Sequence, residues 1–117
     1  MVVENCEELP DDSLDGVLCY GVLYYMTLPE RKQAINLMWR KLMTGAPALI
    51  VVRSTKDSRY KDRSVGRATN EAGMYMDFFT PAKLRREFHA FTTLQIDQQL
   101  QTYGAEVDHD YIITLRK

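Results

Sequence analysis

Leu14-Asp15-Gly16-Val17-Leu18-Cys19-Tyr20 is a short, nearly continuous apolar run entered from the turn-rich Leu9-Pro10-Asp11-Asp12-Ser13. Its length suits a strand, and its lack of alternation suits one buried on both faces, as in parallel sheets covered by helices. Downstream, Thr27-Leu28-Pro29-Glu30 offers Thr27 as a cap and Glu30, three residues on, to reach back to it, so a helix starts there. Ile35, Met38, Trp39 and Leu42 recur at helical spacing, polar side chains cover most of the remaining positions, and Gly45 stands where a left-handed residue is wanted. That helix should run to about Met43. Ala48-Leu49-Ile50-Val51-Val52 is too short for a globular helix and rich in β-branched residues, hence a second buried strand. Strand, helix and strand form one crossover unit.

From Ser54 to Asn70 charged and small polar residues dominate without a period of 2 or 3.6, which reads as a long surface loop. Thr80-Pro81 opens a further helix through Leu84 and Phe88, ending at His89 or Ala90. Leu94-Gln95-Ile96-Asp97-Gln98 alternates like a half-exposed strand, and Asp110 to Leu115 is a more apolar one, joined through Tyr103-Gly104-Ala105. The expected fold is α/β, a mostly parallel sheet with a C-terminal antiparallel hairpin, in a single domain over 1–117.

With 117 residues, 45% hydrophobic, the chain has material for a core. A net charge of −1 supplies no field to attract nucleic acid or an anionic membrane. Cys6 and Cys19 fit no metal-ligand spacing, which suits reduced thiols in the cytoplasm. No run approaches a membrane span, and the first residues lack the layout of a signal peptide.

Asn5-Cys6-Glu7-Glu8-Leu9-Pro10, then Ser13-Leu14-Asp15-Gly16-Val17, then Leu42-Met43-Thr44-Gly45-Ala46 before a buried strand, resemble in order and spacing the class I S-adenosylmethionine-dependent methyltransferases of small molecules. In that family these are the adenine-side turn, the fourth strand and the turn before the fifth. Two positions depart from the pattern: Asn5 stands where an acidic residue is usual, and Ala46 where a second glycine is usual. The family's first strand, its glycine-rich turn and its second strand would precede Met1. The resemblance therefore implies an incomplete, partial Rossmann-like sheet, with S-adenosylmethionine bound weakly or not at all by this chain alone. It implies an inactive isolated chain and a parent enzyme acting on a small molecule.

The resemblance implies that the Asn5 side-chain oxygen accepts from the adenine amino group and that the Cys6 N–H serves a ring nitrogen. Asn5 also reads as an ordinary turn residue bonding its own backbone. Cys19, Tyr20 and Gly21 follow the carboxyl end of a parallel strand, where open α/β sheets place ligands, and their carbonyls could hold the methionine amine. Tyr20, Tyr24 and Tyr25 add ring faces for a sulfonium, or else simply pack under the next helix. In the long loop Arg59, Tyr60, Arg63 and Arg67 suit an acidic substrate, with Met74, Tyr75, Met76 and Phe78 to close over it. A solvated charge run followed by a core-returning stretch is the competing reading. His89 suits a helix end, and His109 reads as a polar turn residue. No metal site is expected. Catalytic residues stay unassigned, because in-line methyl transfer needs alignment and exclusion of water more than a strong base. With the first strand missing, the Leu14 to Tyr20 edge is expected to pair with a second copy or a separately encoded N-terminal half. The rival to an enzyme is a cofactor-free, methyltransferase-like subunit that works by such pairing.

Overall fold

The computed structural model describes residues 7–58, 60, 67–69 and 75–117, with the side chains of 67–69 left aside. In chain order the elements are β1 (Val17–Tyr20), a 3-10 turn (Leu23–Tyr25), α1 (Leu28–Lys41), β2 (Pro47–Arg53), β3 (Arg67–Thr69), β4 (Tyr75–Asp77), α2 (Pro81–Glu87), β5 (Thr92–Tyr103) and β6 (Glu106–Arg116). Four strands form one sheet in the order β1-β2-β6-β5, and β3 pairs with β4 apart from it. The crossover through α1 makes β1 and β2 parallel, while β6 lies antiparallel between β2 and β5 as the return strand of the closing hairpin.

The helix signals act as their chemistry requires. The Glu30 carboxylate accepts from both the Thr27 N–H at 3.0 Å and the Thr27 hydroxyl at 2.8 Å. At α2 the Thr80 Oγ1 accepts from the Lys83 N–H. The carboxyl end of α1 is completed by chain that precedes β1: the N–H groups of Asp12 and Ser13 donate to the carbonyls of Arg40 and Lys41. These are the carbonyls a helix leaves without internal partners, so the end of α1 is tied to the entry of β1. Gly45 has φ +86°, the expected left-handed conformation, though it lies in the turn before β2 rather than directly at the helix end.

One face of the sheet is covered. Ala48, Ile50 and Val52 pair in register with Leu115, Ile113 and Tyr111, and all six are buried in one cluster with Ala34 and Ile35 of α1 and Leu84 and Phe88 of α2 or its end. The opposite face is open, which corrects the expectation that β1 is buried on both sides. Leu18 is 69% exposed and Tyr20 65%, and Leu49, opposite Leu18, is also exposed. The physical reason is that the described helices α1 and α2 both pack on the same side. Among the described residues no strand pairs with the outer edge of β1.

Two further expectations change. The long loop is shorter than its composition suggests, because Arg67–Thr69 pairs with Tyr75–Asp77 and because its first residues are pinned to β6. There the N–H groups of Ser54 and Ser58 donate to the carbonyls of His109 and Val107, and the Ser58 hydroxyl accepts from the Val107 N–H at 2.6 Å. The closing hairpin is also longer than expected, and its outer part runs beyond the last residue of β2.

Behind the covered face Arg31, 1% exposed, is held by three elements at once. Its Nε and Nη2 donate to the Glu87 carboxylate at 2.7 and 3.1 Å, and its Nη1 reaches Asp77 Oδ2 and the Met26 carbonyl, each at 2.7 Å. Burial pushes the guanidinium pKa down, and Glu87 and Asp77 more than reverse it, so Arg31 stays charged. Arg31→Ala should lower the unfolding free energy by about 3–5 kcal/mol, because the Glu87 carboxylate loses its counter-ion and Asp77 keeps only Lys83. Equilibrium urea denaturation measures this, and a loss under about 1 kcal/mol, the range of a surface pair, would contradict it.

Candidate functional site

The parallel pair ends at Tyr20 and Val51, and the chain leaves β1 through Gly21 at φ +72°. An L side chain there would sit in the disfavoured left-handed region and would meet the Tyr24 hydroxyl at 3.4 Å. The turn allows the backbone to fold at once into the 3-10 helix, which buries Leu23 and Tyr24. Between this corner and the hairpin lies a cleft of about 120 Å³, with Tyr20, Gly21 and Tyr24 on one side, Val51 and Arg53 at the end of β2, and Gln99, Gln101, Asp108 and Asp110 opposite. It lies at the carboxyl end of the parallel strands, the position where open α/β sheets bind ligands.

Arg53 sets the electrostatics. Its guanidinium lies 5.3 Å from the centre of the Tyr24 ring and its Nη1 is 3.1 Å from Asp110 Oδ1 and 3.7 Å from Asp57 Oδ2. Asp57 is itself fixed, since its Oδ2 accepts the His109 N–H at 3.0 Å. Burial pushes the Tyr24 phenol pKa up, with the Arg53 charge pulling the other way, so Tyr24 remains a neutral hydroxyl at the cleft. Burial likewise pushes the Cys19 thiol up, away from the thiolate that nucleophilic chemistry would need.

Of the residues singled out in the sequence, Tyr20, Gly21 and Tyr24 come together at this cleft, with Cys19 beside them in β1. Tyr25 stacks against Tyr24 with ring centres 4.5 Å apart and does not line it. Tyr60 is buried against Phe78 at 5.2 Å, and Tyr75 donates to Asp77 at 3.3 Å; both belong to the helix-covered side. Met76 and Phe78 are core, as the core-returning reading has it. Asn5, Cys6, Arg59, Arg63 and Met74 lie outside the described residues. Sequence reasoning missed Arg53, Gln99, Gln101, Asp108 and Asp110. The one available signal was spacing: Gln99 and Gln101 share a strand face, as do Asp108 and Asp110, and register sets each pair opposite the other.

His109 is not a turn residue. It is buried within β6, its Nε2 lies 2.9 Å from Gln98 Oε1, and its ring packs edge-on to Tyr111. Burial first, and then the Lys56 charge, hold its pKa below 6.5. Among the described residues no group of side chains is arranged to hold a metal ion, and no helix is long and apolar enough to cross a membrane.

Helices on one face of an open, partly parallel sheet that closes in an antiparallel hairpin define an open α/β fold. More particularly, it is the fold of the class I S-adenosylmethionine-dependent methyltransferases. A Methanosarcina mazei S-adenosylmethionine-dependent methyltransferase structure is similar over 94% of this chain and 62% of its own, with TM-score 0.76 and 18% identity. A Burkholderia thailandensis 1,6-didemethyltoxoflavin-N1-methyltransferase, solved with S-adenosylhomocysteine, is similar over 96% of this chain and 48% of its own, with TM-score 0.71 and 21% identity. The Bradyrhizobium japonicum N-methyltransferase NodS, also solved with S-adenosylhomocysteine, is similar over the whole chain and 52% of its own, with TM-score 0.67 and 14% identity. The chain thus spans about half to two thirds of the length of these proteins. No family model and no curated protein matches the sequence.

Two outcomes follow from the site. Gly21→Ala should cost about 1–2 kcal/mol, the penalty of a left-handed L residue, measured by denaturation; an unchanged midpoint would show that the turn relaxes freely. Because the folded His109 pKa lies below its unfolded value, the unfolded chain binds more protons around and below pH 6.5. Stability is then full above that pH and falls as the pH drops toward the folded pKa. Thermal melts between neutral and mildly acidic pH should show this slope, and His109→Leu should flatten it; an equal slope in the variant would remove His109 as its source.

Proposed function

We propose that this chain carries the acceptor-side part of a methyltransferase site, in which a methyl group passes from S-adenosylmethionine to a small molecule held in the cleft beside Tyr20 and Tyr24. The observation that carries the reading is Gly21 at φ +72°, a side-chain-free corner at the carboxyl end of β1, opening on an aromatic cleft in this fold. A Cβ at that corner would take up the space into which a ligand could approach the backbone. Cys19, Tyr20 and Gly21 would hold the methionine end of the cofactor through their main chain, and Asn5 and Cys6 the adenine. When bound, the cofactor supplies a methyl group on a cationic sulfur, already activated for displacement. The chain's own residues contribute position and exclusion of water: Tyr20 and Tyr24 offer ring faces that favour positive charge, and the hairpin strands wall the other side.

The remaining contacts to the cofactor would come from polypeptide that joins the sheet at the outer edge of β1. That edge and the apolar groove of about 400 Å³ between β1 and α1 favour pairing with a second copy or with a separate N-terminal half. The same observation favours a second reading, a methyltransferase-like subunit that pairs without turning over.

Adding S-adenosylhomocysteine at millimolar concentration should move the amide resonances of Cys19 to Gly21 weakly and without saturation. No response there would sink the cofactor site, and a micromolar dissociation constant would sink the view that this chain holds only part of it. For the edge, light scattering at tens of micromolar should show a dimer or larger species that Leu18→Lys shifts toward monomer. Leu18 is the right probe because it faces outward, whereas Val17 packs on the core. A stable monomer of the parent chain would remove the pairing.

A further inference from the structure

Between α1 and α2 runs an open groove of about 1100 Å³ that shares no lining residue with the cleft. On the α1 side Leu28, Arg31, Lys32, Ile35, Asn36 and Trp39 line it. They fall at helical spacing and so form one continuous stripe about 16 Å long, three turns of helix. On the other side Lys83, Arg86 and Glu87 of α2 repeat that spacing, with Ala90 just past its end, and β4 contributes Tyr75 and Asp77. Leu28 is 41% exposed, and Trp39 and Tyr75 are partly so, which leaves apolar and aromatic surface open along the trough.

The charges in the groove do not balance. Asp77 and Glu87, the carboxylates that line it, are already taken: Arg31 lies 2.7 Å from each of them, and Lys83 lies 2.7 Å from Asp77. That buried group is neutral as a whole. The Lys32 ammonium on one wall and the Arg86 guanidinium on the other are exposed, and neither has an ion pair or hydrogen bond among the described residues. The groove therefore offers an apolar stripe with one free cation on each side.

From this we infer that the groove docks an acidic amphipathic helix of a partner protein, its apolar face against Leu28, Trp39 and Tyr75 and its carboxylates toward Lys32 and Arg86. A trough between two helices, three turns long, matches the way an amphipathic helix lays its apolar face into a groove. A basic segment would meet two free cations and find both carboxylates engaged, so like-charge repulsion selects against it. Nucleic acid is held by many phosphate contacts, and two cations on a chain of net charge −1 supply few. A second copy bound through the same groove about a two-fold axis would set Lys32 and Arg86 against their own counterparts. The inference concerns the helix side of the molecule and stands apart from the methyl-transfer reading.

Trp39 is the single tryptophan of the chain and lies in the groove, so its fluorescence reports occupancy directly. The probe is a synthetic peptide of about 18 residues, long enough to form a helix, with leucines along one face and glutamates along the other. Its control carries lysine in place of every glutamate. The acidic peptide should shift the Trp39 emission saturably and move the amide resonances of Leu28 to Trp39 and of Arg86, and the lysine peptide should do neither. Lys32→Glu combined with Arg86→Glu, both at exposed positions, should weaken the acidic peptide about tenfold and let the lysine peptide bind instead. Such an exchange of preference is a gain and does not arise from a damaged fold. No saturable response to the acidic peptide, equal affinity for both peptides, or an unchanged preference in the double variant would overturn the inference. So would a short single-stranded oligonucleotide that displaces the acidic peptide, which would give the groove to nucleic acid. Dimerisation that persists in Leu18→Lys and is lost in Leu28→Lys would give it to a second copy and overturn the inference as well.

Discussion

The covered half of this structure depends on a buried guanidinium. Taking a charge out of water costs several kcal/mol even after relaxation, and the cost is recovered only where geometry supplies partners on every side. Arg31 has them: the Glu87 carboxylate in a two-pronged contact, Asp77, the Met26 carbonyl, and the Phe79 ring 5.2 Å away. Each partner is on a different element, so α1, the end of the 3-10 turn, β4 and α2 must all be in place together. Asp77 carries this further, since its Oδ1 also accepts from Lys83 Nζ at 2.7 Å and from the Phe78 N–H at 3.0 Å. An apolar core alone would tolerate sliding between these elements; a set of directed, charge-assisted bonds does not.

That constraint reaches the cleft through Met26. By fixing the Met26 carbonyl, Arg31 fixes where the turn Leu23–Tyr25 ends, and hence where Tyr24 lies beneath the Arg53 guanidinium. The other wall is held independently. Ser54, Asp57 and Ser58 bond to His109 and Val107 of β6, which locks the end of β2 to the hairpin beyond the regular ladder and sets Arg53 beside Asp110. Two separate anchors therefore converge on one corner of the sheet. The cleft is walled on both sides by elements tied down through hydrogen bonds.

Where local chemistry decides structure, the sequence was readable. Thr27 with Glu30, Thr80 with Pro81, and the β-branched run ending in Val52 each announce their element through interactions within a few residues. Arg31 sits between Glu30 and Lys32 and carries no local mark of burial; its partners are 46 and 56 positions away, a separation no periodicity reports. His109 misled for a related reason. Flanked by Asp108 and Asp110 it looks like a turn, yet alternation sends those carboxylates to the open face and the imidazole to the covered one. The apolar run in β1 suggested cover on both faces, and it reports a real requirement for contact that the described helices meet on one side only. The hairpin was underestimated because its outer residues are mostly polar and exposed on both faces and so lose the alternation that marks a strand.

The division of the open face ties the fold to the chemistry. An apolar half, Leu18 with Leu49 and the neighbouring Tyr20, gains by being covered, whereas a half carrying Asp97, Gln99, Gln101, Asp108 and Asp110 would lose solvation under an apolar element. Any cover that suits the first half must stop at the second. Its margin then runs along the line from Tyr20 through Val51 to Arg53, where the cleft already lies. Covering the apolar half would deepen the cleft and dry its aromatic wall, and would leave the polar wall in reach of solvent. Electrostatic interactions strengthen as water is excluded, so the polar groups that line the cleft would act more strongly on one another once that margin is in place. The apolar run of β1 and the polar outer hairpin are in this way two halves of one amphipathic sheet face.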